Sequence, residues 1–137
     1  MPHRIFLEKY SDSLIKSSLS PFILYYTKLI PLFTRKESVE IVLESFKHLQ
    51  QTDDFKLYAY VILENHIHIV AQSNDIAKSM AKFKRHTARE LLHLLQKENV
   101  KTILEQLAFY KKAHKEDRTY QVWQEGLQSK LIQTEIP

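Results

Sequence analysis

The chain of 137 residues is 44% hydrophobic and 26% charged, proportions that are typical of a single globular domain with a buried core. A single glycine excludes the glycine-rich loops that bind nucleotide phosphates, and the absence of cysteine excludes disulfides, cysteine-based zinc sites and thiol nucleophiles. The net charge of +4 permits binding to nucleic acid without requiring it.

The first predicted boundary follows a polar segment. Serines crowd residues 11–20, so we predict that residues 1–20 form a polar lead-in to a domain that spans residues 21–137. Residues 22–30 are rich in aromatic and branched side chains and are bounded by two prolines, which predicts the first strand.

A helix and a second strand follow. Thr34 and Glu37 have the spacing of a capping box, and apolar residues at helical spacing extend the predicted helix to about Gln50. Residues 55–63 are predicted to form a strand in the middle of a sheet, because they are apolar on both faces. Their apolar run is too short to cross a bilayer.

A hairpin is predicted to connect this strand to the next one. Glu64 and Asn65 can form its two-residue turn, since asparagine tolerates positive φ angles, and residues 66–71 form the third strand. The next helix is predicted to be capped by residues 74–75 and to continue to about Lys97.

The remaining elements complete the predicted fold. A further helix is predicted over residues 100–114, and strands over residues 120–123 and 131–134. The order β-α-β-β-α-α-β predicts an α+β ferredoxin-like sandwich, in which one antiparallel sheet carries helices packed on one face. Because the N-terminus lacks a signal-peptide pattern, we expect a cytoplasmic location and no membrane partner.

Two histidines on the third predicted strand form the main candidate site. Residues two apart on a strand point to the same side, so His66 and His68 share one face while the isoleucines between them share the other. Two imidazoles on one face can chelate a divalent metal ion, with Glu64 or His86 as a candidate third ligand. The alternative is that the two histidines are only packed or solvated. The chain contains seven histidines, so a His-x-His pattern can arise by chance.

Basic residues concentrate on the helix that is predicted to follow. Between Lys78 and Lys97 there are six basic residues and one acidic residue, and four of the basic residues recur at helical spacing as one stripe. Such a stripe can track a nucleic-acid backbone or can be a solvated outer face, and we expect it to lie beside the histidine pair. The candidate DNA-binding residues are Lys78, Lys82, Lys84, Arg85 and Arg89.

Three segments of the chain resemble one known family. Residues 58–70, which contain the His-Ile-His pattern, resemble the HUH segment of the one-tyrosine single-stranded-DNA transposases, most closely the REP-associated tyrosine transposases. Residues 83–90 resemble the Lys-x-x-Thr-Ala-Arg stretch of that family, and residues 122–126 resemble its Trp-Gln-x-Gly segment. The three matches occur in family order, and the resemblance extends over residues 22–134.

The resemblance implies a ferredoxin-like HUH endonuclease and strand transferase, often a homodimer, that acts on single-stranded DNA, commonly beside a hairpin. In that chemistry a tyrosine hydroxyl attacks a phosphodiester and leaves a 5′-phosphotyrosine and a free 3′-hydroxyl. The histidine pair of the family holds Mg²⁺ or Mn²⁺, which polarises the scissile phosphate. Carried over to this chain, His66 and His68 become the metal ligands.

The tyrosines of this chain depart from the family pattern. The family places its nucleophile on a helix that follows the Trp-Gln-x-Gly segment, whereas no tyrosine follows Tyr120 here. We therefore expect a chain that is truncated before the tyrosine-bearing helix, a degenerate copy, or a protein that has recruited Tyr120 as its catalytic residue.

Two other functions fit the sequence. A non-catalytic nucleic-acid-binding module on the same fold could use Tyr58 and Tyr60 as platforms for base stacking. A metal-dependent enzyme that acts on small molecules could use the histidine pair if the fold encloses an apolar pocket. A metal titration of DNA binding at fixed salt separates the first of these from a metal-dependent transposase.

Overall fold

The structure is a computed structural model, which describes residues 4–7, 20–25, 30–111, 119–123 and 128–129. Side chains are described for residues 30–111 and 119–123. The elements in chain order are β1 (Arg4–Leu7), β2 (Ser20–Tyr25), α1 (Lys36–Thr52), β3 (Phe55–Ile62), β4 (His66–Ser73), α2 (Ile76–Lys97), α3 (Lys101–Phe109) and β5 (Gln128–Ser129).

The strands of the described residues form one antiparallel sheet in the order β1-β3-β4-β2-β5. β4 lies at the centre of this sheet, between β3 and β2. Helices α1 and α2 pack together on one face of the sheet, and α3 packs against α2. This architecture confirms the predicted α+β ferredoxin-like sandwich.

Alternation along β4 determines which face of the sheet carries the core. In β4 the alternate residues Ile67, Ile69 and Ala71 are buried against the helices, whereas the other residues of the strand are only half-buried. The helices contribute stacked rings to this core, since Phe46 of α1 and Phe83 of α2 lie with ring centroids 4.9 Å apart. The other face of the sheet carries the two histidines.

The predicted hairpin between β3 and β4 is confirmed. The backbone N–H of Leu63 donates a 2.9 Å hydrogen bond to the carbonyl oxygen of His66, and this bond encloses Glu64 and Asn65. The expected reason for the asparagine is wrong, because Asn99 is the only non-glycine residue with a positive φ among the described residues.

Both ends of α2 are determined by local hydrogen bonds. Oδ1 of Asp75 accepts from the backbone N–H of Lys78 at 3.1 Å, which confirms the predicted cap. At the other end Asn99 has a φ of 55°, and the N–H of Val100 donates to the carbonyl oxygen of Leu95 at 2.9 Å. This left-handed residue ends the helix where the sequence predicts.

The start of α1 differs from the prediction. The helix begins at Lys36, and no side chain caps its first turn. The hydroxyl of Thr34 donates instead to the carbonyl oxygen of Pro31 at 3.4 Å, so the predicted capping box with Glu37 is wrong. The buried residue Phe33 anchors the chain here, and its backbone N–H donates to the carbonyl oxygen of Glu64 at 3.0 Å.

The N-terminal part of the sheet corrects the predicted lead-in and the predicted first strand. β1 lies within residues 1–20 and pairs with β3, with Phe6 opposite Tyr60. β2 begins at Ser20 and pairs with the central strand β4, so the predicted boundary at residue 21 falls inside a strand. β1 is four residues long, and such a segment is too short to show strand periodicity in the sequence.

The C-terminal elements are shorter than predicted. α3 ends at Phe109, before the expected residue 114. Residues 120–122 form no strand, and only Trp123 makes an isolated β-bridge. β5 pairs with β2, whereas the predicted strand over residues 131–134 lies outside the described residues. Within the part of the chain that is described, no helix has the length and apolar composition needed to cross a membrane.

Candidate functional site

The two histidines of β4 come together on the face of the sheet opposite the helices. Nε2 of His66 lies 3.0 Å from Nε2 of His68, and the ring centroids are 4.8 Å apart at an interplanar angle of 66°. Both side chains are half-buried. The prediction that they share one face of their strand is confirmed, because strand alternation aims both rings to the same side.

The spacing of the two rings fits two ligands of one metal ion. Two nitrogen ligands at right angles, each about 2.1 Å from an octahedral ion, are about 3.0 Å apart. The observed separation of the Nε2 atoms is 3.0 Å, which is also the distance of a hydrogen bond between the two rings. Imidazole nitrogens suit first-row transition ions better than hard Mg²⁺. Among the described residues, no group of three or more metal-ligating side chains is present.

The surroundings of His66 favour its neutral form. Burial lowers the pKa of His66, and the neighbouring His68 lowers that pKa further. A neutral imidazole carries the lone pair that a metal ion needs. Nδ1 of His66 also lies 2.7 Å from Oδ1 of Asn65, the turn residue before it.

β3 supplies the neighbouring part of the same face. The register places Val61 opposite His68 and Lys56 opposite Gln72. The hydroxyl of Tyr58, which lies at a bulge, donates to Oε1 of Gln72 at 3.0 Å. The exposed Lys56 lies roughly 13 Å from His68 along the strands.

Tyr58 and Tyr60 are not stacking platforms. Tyr58 is 5% exposed and Tyr60 is 9% exposed, and the ring of Tyr60 packs against Phe46 with centroids 5.9 Å apart. A base needs an exposed ring face for stacking. The prediction of base stacking on β3 is therefore wrong, because these rings fill space inside the protein.

The basic stripe lies on α2, but on its outer surface. The side of α2 that includes Phe83 and Thr87 is buried in the core, whereas Arg85 and Arg89 are exposed on the other side. That core packs on the isoleucine face of β4, so the sheet and α2 separate the stripe from the histidines. The expectation that the stripe lies beside the histidine pair is wrong. The candidate third ligand His86 lies on this remote helix surface as well.

The stripe forms one wall of a groove between α1 and α2 with a volume of about 320 Å³. Three of the five candidate DNA-binding residues line this groove, namely Lys82, Arg85 and Arg89. His48 lies across the groove on α1. The other two candidates lie outside its lining, Lys78 being exposed and Lys84 half-buried.

Neighbouring side chains occupy two of the three cations that line the groove, and two of these neighbours are acidic. Nζ of Lys82 lies 3.1 Å from both carboxylate oxygens of Asp53. Nη2 of Arg89 lies 3.2 Å from Nδ1 of His86, and Nε of Arg89 lies 3.6 Å from Oε1 of Glu90. The guanidinium of Arg85 is exposed at the groove, where it can contact a phosphate.

Tyr120 lies on the helix side of the sheet. It packs against the hydrophobic core next to Val122 and Trp123, which are 3% and 5% exposed. The backbone N–H of Gln121 donates to the carbonyl oxygen of Leu107 in α3 at 3.4 Å. The structure therefore does not bring Tyr120 to the histidine pair.

Comparisons with known proteins agree with this fold. The sequence model of the IS200-like transposases matches residues 1–127. A REP-associated tyrosine transposase bound to a REP hairpin is 14% identical with a TM-score of 0.55, over 93% of this chain and 64% of that chain. A protein of Deinococcus radiodurans R1 that is classed as a transposase is 12% identical with a TM-score of 0.53, over 93% of this chain and 87% of that chain.

These comparisons differ in what they show. This chain spans less than two thirds of the REP-associated transposase, of which it covers 64%. No curated protein sequence matches this chain. At 12–14% identity the two structures show the shared fold alone. The family match over most of the sequence confirms the predicted resemblance, and the chain belongs to the IS200-like transposase family.

Proposed function

We propose that this chain acts in DNA transposition by binding single-stranded or hairpin DNA, with a divalent cation held by His66 and His68 at the scissile phosphate. The observation that carries this proposal is the 3.0 Å separation of the two Nε2 atoms on one face of the central strand. Membership of a transposase family supports the reaction class. The REP hairpin bound by a protein of similar fold supports hairpin DNA as the substrate.

The proposed reaction is a transesterification. A tyrosine hydroxyl oxygen bonds to the phosphorus atom of a phosphodiester, and the bond from phosphorus to the 3′ oxygen breaks. The tyrosine retains the 5′-phosphate, its proton passes to solvent, and the 3′ oxygen takes up a proton as a hydroxyl. A bound cation supplies neutralisation of the charge that develops on the phosphate. The place of Tyr120 on the helix side of the sheet argues against this residue as the nucleophile.

The groove on the helix layer is proposed as a separate contact to the DNA backbone. Arg85 and Arg89 supply its exposed cations. A DNA molecule that reaches both this groove and the histidine pair must pass around the edge of the domain. A hairpin with a single-stranded extension has two segments that can occupy the two places.

A DNA-binding titration tests the role of the histidines. The probe is a fluorescent DNA hairpin with a single-stranded extension, measured at fixed ionic strength with Mn²⁺ and with EDTA. We expect the variant with His66→Ala and His68→Ala to lose the Mn²⁺-dependent gain in affinity, at least tenfold, while His93→Ala on the exposed surface of α2 retains it. An unchanged Mn²⁺ response in the double variant contradicts the metal site.

A search for a covalent protein–DNA adduct tests the chemistry. Denaturing electrophoresis after incubation with Mn²⁺ and the hairpin detects an adduct, and mass spectrometry of its peptides identifies the modified tyrosine. Any adduct that the wild-type protein forms should disappear in the double histidine variant. An adduct that forms equally well in that variant contradicts metal-dependent cleavage by the histidine pair.

The second candidate function is a DNA-binding module that needs no metal. The separation of the basic groove from the histidine pair favours it, since the groove can bind a backbone without the histidines. Its affinity falls steeply with salt and does not respond to Mn²⁺ at fixed ionic strength. A homodimer and a cytoplasmic location stay predictions from the sequence.

A further inference from the structure

Asn65 makes a contact that its turn does not require. Asn99 is the only described non-glycine residue with a positive φ, so the backbone at Asn65 adopts an angle that any residue can take. The side chain of Asn65 instead places its Oδ1 atom 2.7 Å from Nδ1 of His66. This asparagine therefore serves the histidine rather than the turn.

The contact specifies where the proton of His66 lies. An amide oxygen only accepts hydrogen bonds, so the Nδ1 atom of His66 must be the donor. In a neutral imidazole with a proton on Nδ1, the Nε2 atom carries the lone pair. This Nε2 atom lies 3.0 Å from Nε2 of His68. It is the atom of His66 that is proposed to bind the cation.

We propose that Asn65 is a positioning residue, which holds His66 in the Nδ1–H tautomer and so presents its Nε2 atom to a divalent cation. The inference rests on the proposed metal site, but the tautomer is a property of the metal-free protein. Histidine ligands of metals generally donate their second N–H to an oxygen acceptor, which orients the ring and raises its basicity. Asn65 supplies that acceptor within the same hairpin.

The His68 ring occupies the complementary state in the metal-free protein. Because Nε2 of His66 is unprotonated, the 3.0 Å contact requires Nε2 of His68 to donate its proton. Nε2 of His68 carries a lone pair only in the other neutral tautomer, which has its proton on Nδ1. His66 therefore already has the tautomer that can bind a cation through Nε2, whereas His68 does not.

Nitrogen-15 NMR of the metal-free protein tests the tautomer directly. Long-range proton–nitrogen spectra of ¹⁵N-histidine-labelled protein are recorded at a pH well above the ordinary imidazole pKa of about 6.5. We expect His66 to be protonated on Nδ1 in the wild-type protein and in Asn65→Asp, which retains an acceptor oxygen. Asn65→Ala should shift His66 to the Nε2–H form, and Asn74→Ala, in the turn after β4, should leave it unchanged.

Titration with Mn²⁺ alone, followed by electron paramagnetic resonance, tests the consequence for metal binding. Asn65→Ala should weaken Mn²⁺ affinity by about 10- to 100-fold, with rescue by Asn65→Asp and no change in Asn74→Ala. Circular dichroism confirms that each variant is folded.

The remaining outcomes each overturn either the role of Asn65 or the proposed metal site. A wild-type His66 with its proton on Nε2, or equal Mn²⁺ affinity in the wild-type protein and Asn65→Ala, overturns the role of Asn65. A wild-type protein that shows the Nδ1–H tautomer and loses it in Asn65→Ala, yet binds no Mn²⁺, supports the Asn65 contact and overturns the proposed metal site.

Discussion

The indole Nε1 of Trp123 donates a 2.9 Å hydrogen bond to the hydroxyl of Thr87, and this bond joins two segments that lie far apart in the sequence. The same hydroxyl donates to the carbonyl oxygen of Phe83 at 2.7 Å, so both buried polar groups have partners. The Trp123 ring also packs against Phe83 and Phe33, with centroids 5.7 and 5.9 Å away. This cluster holds residues 119–123 against α2.

Removal of the Thr87 hydroxyl should destabilise the fold. Thr87→Val leaves the buried Trp123 N–H without an acceptor, and we expect the free energy of unfolding to fall by about 1–3 kcal/mol. Denaturant unfolding followed by fluorescence measures this change. Thr102→Val makes the same substitution at an exposed position of α3 and should change stability by less than about 0.5 kcal/mol. Equal effects of the two variants contradict an energetic role for the bond.

Truncation of the core face of β4 should be costly. Ile67 is fully buried beneath the helices, so Ile67→Ala should lower the free energy of unfolding by about 2–5 kcal/mol through lost burial and a residual cavity. Ile103→Ala removes the same atoms from a partly buried residue of α3 and should cost less. Urea denaturation compares the two variants. The reverse order contradicts the orientation of β4, on which the placement of the histidines depends.

The ion pair between Asp53 and Lys82 should give the stability a dependence on acid pH. A hydrogen bond from Lys82 holds the pKa of Asp53 below its ordinary value of 3.8. Because this pKa is lower in the folded protein than in the unfolded chain, the pair stabilises the fold above pH 3.8 and loses that contribution as the pH falls through the folded-state pKa.

Chemical denaturation over a pH series measures this effect. The difference in unfolding free energy between the wild-type protein and Asp53→Asn should be constant near neutral pH and shrink as the pH falls below 3.8. In a Lys82→Met background the same Asp53→Asn substitution should show little of this dependence, because the hydrogen bond is already absent. A persistent dependence in that background means that another group is responsible.

Loss of the exposed arginines should weaken DNA binding through the phosphate backbone. Arg85→Ala and Arg89→Ala should each reduce the slope of log affinity against log salt concentration by about 0.7–0.9, the value for one lost phosphate contact. Lys47→Ala removes an exposed cation of α1 that does not line the groove, and should leave the slope unchanged. Anisotropy titrations at several salt concentrations give these slopes. Identical slopes in all variants contradict a contact between the DNA backbone and the groove.

Local patterns in the sequence were sufficient for the elements that form the site. The bounds of α2, the hairpin before β4 and the shared face of His66 and His68 are confirmed. Each depends on the period of a helix or strand, or on a cap a few residues away, so it can be inferred from neighbours in the chain. β1 was not predicted, because a four-residue strand can be recognised only from the strand that pairs with it, which is β3.

The amino-acid sequence alone determined the fold class, the family, the two imidazoles on one side of β4 and the basic stripe on one side of α2. Only the tertiary structure decided that these two sides face away from each other, with the sheet and α2 between them. Periodicity relates the side chains within one element. The packing of apolar faces from different elements decides on which surface of the protein each polar face lies. The isoleucines of β4 and the core side of α2 meet, so the histidines and arginines lie on opposite surfaces.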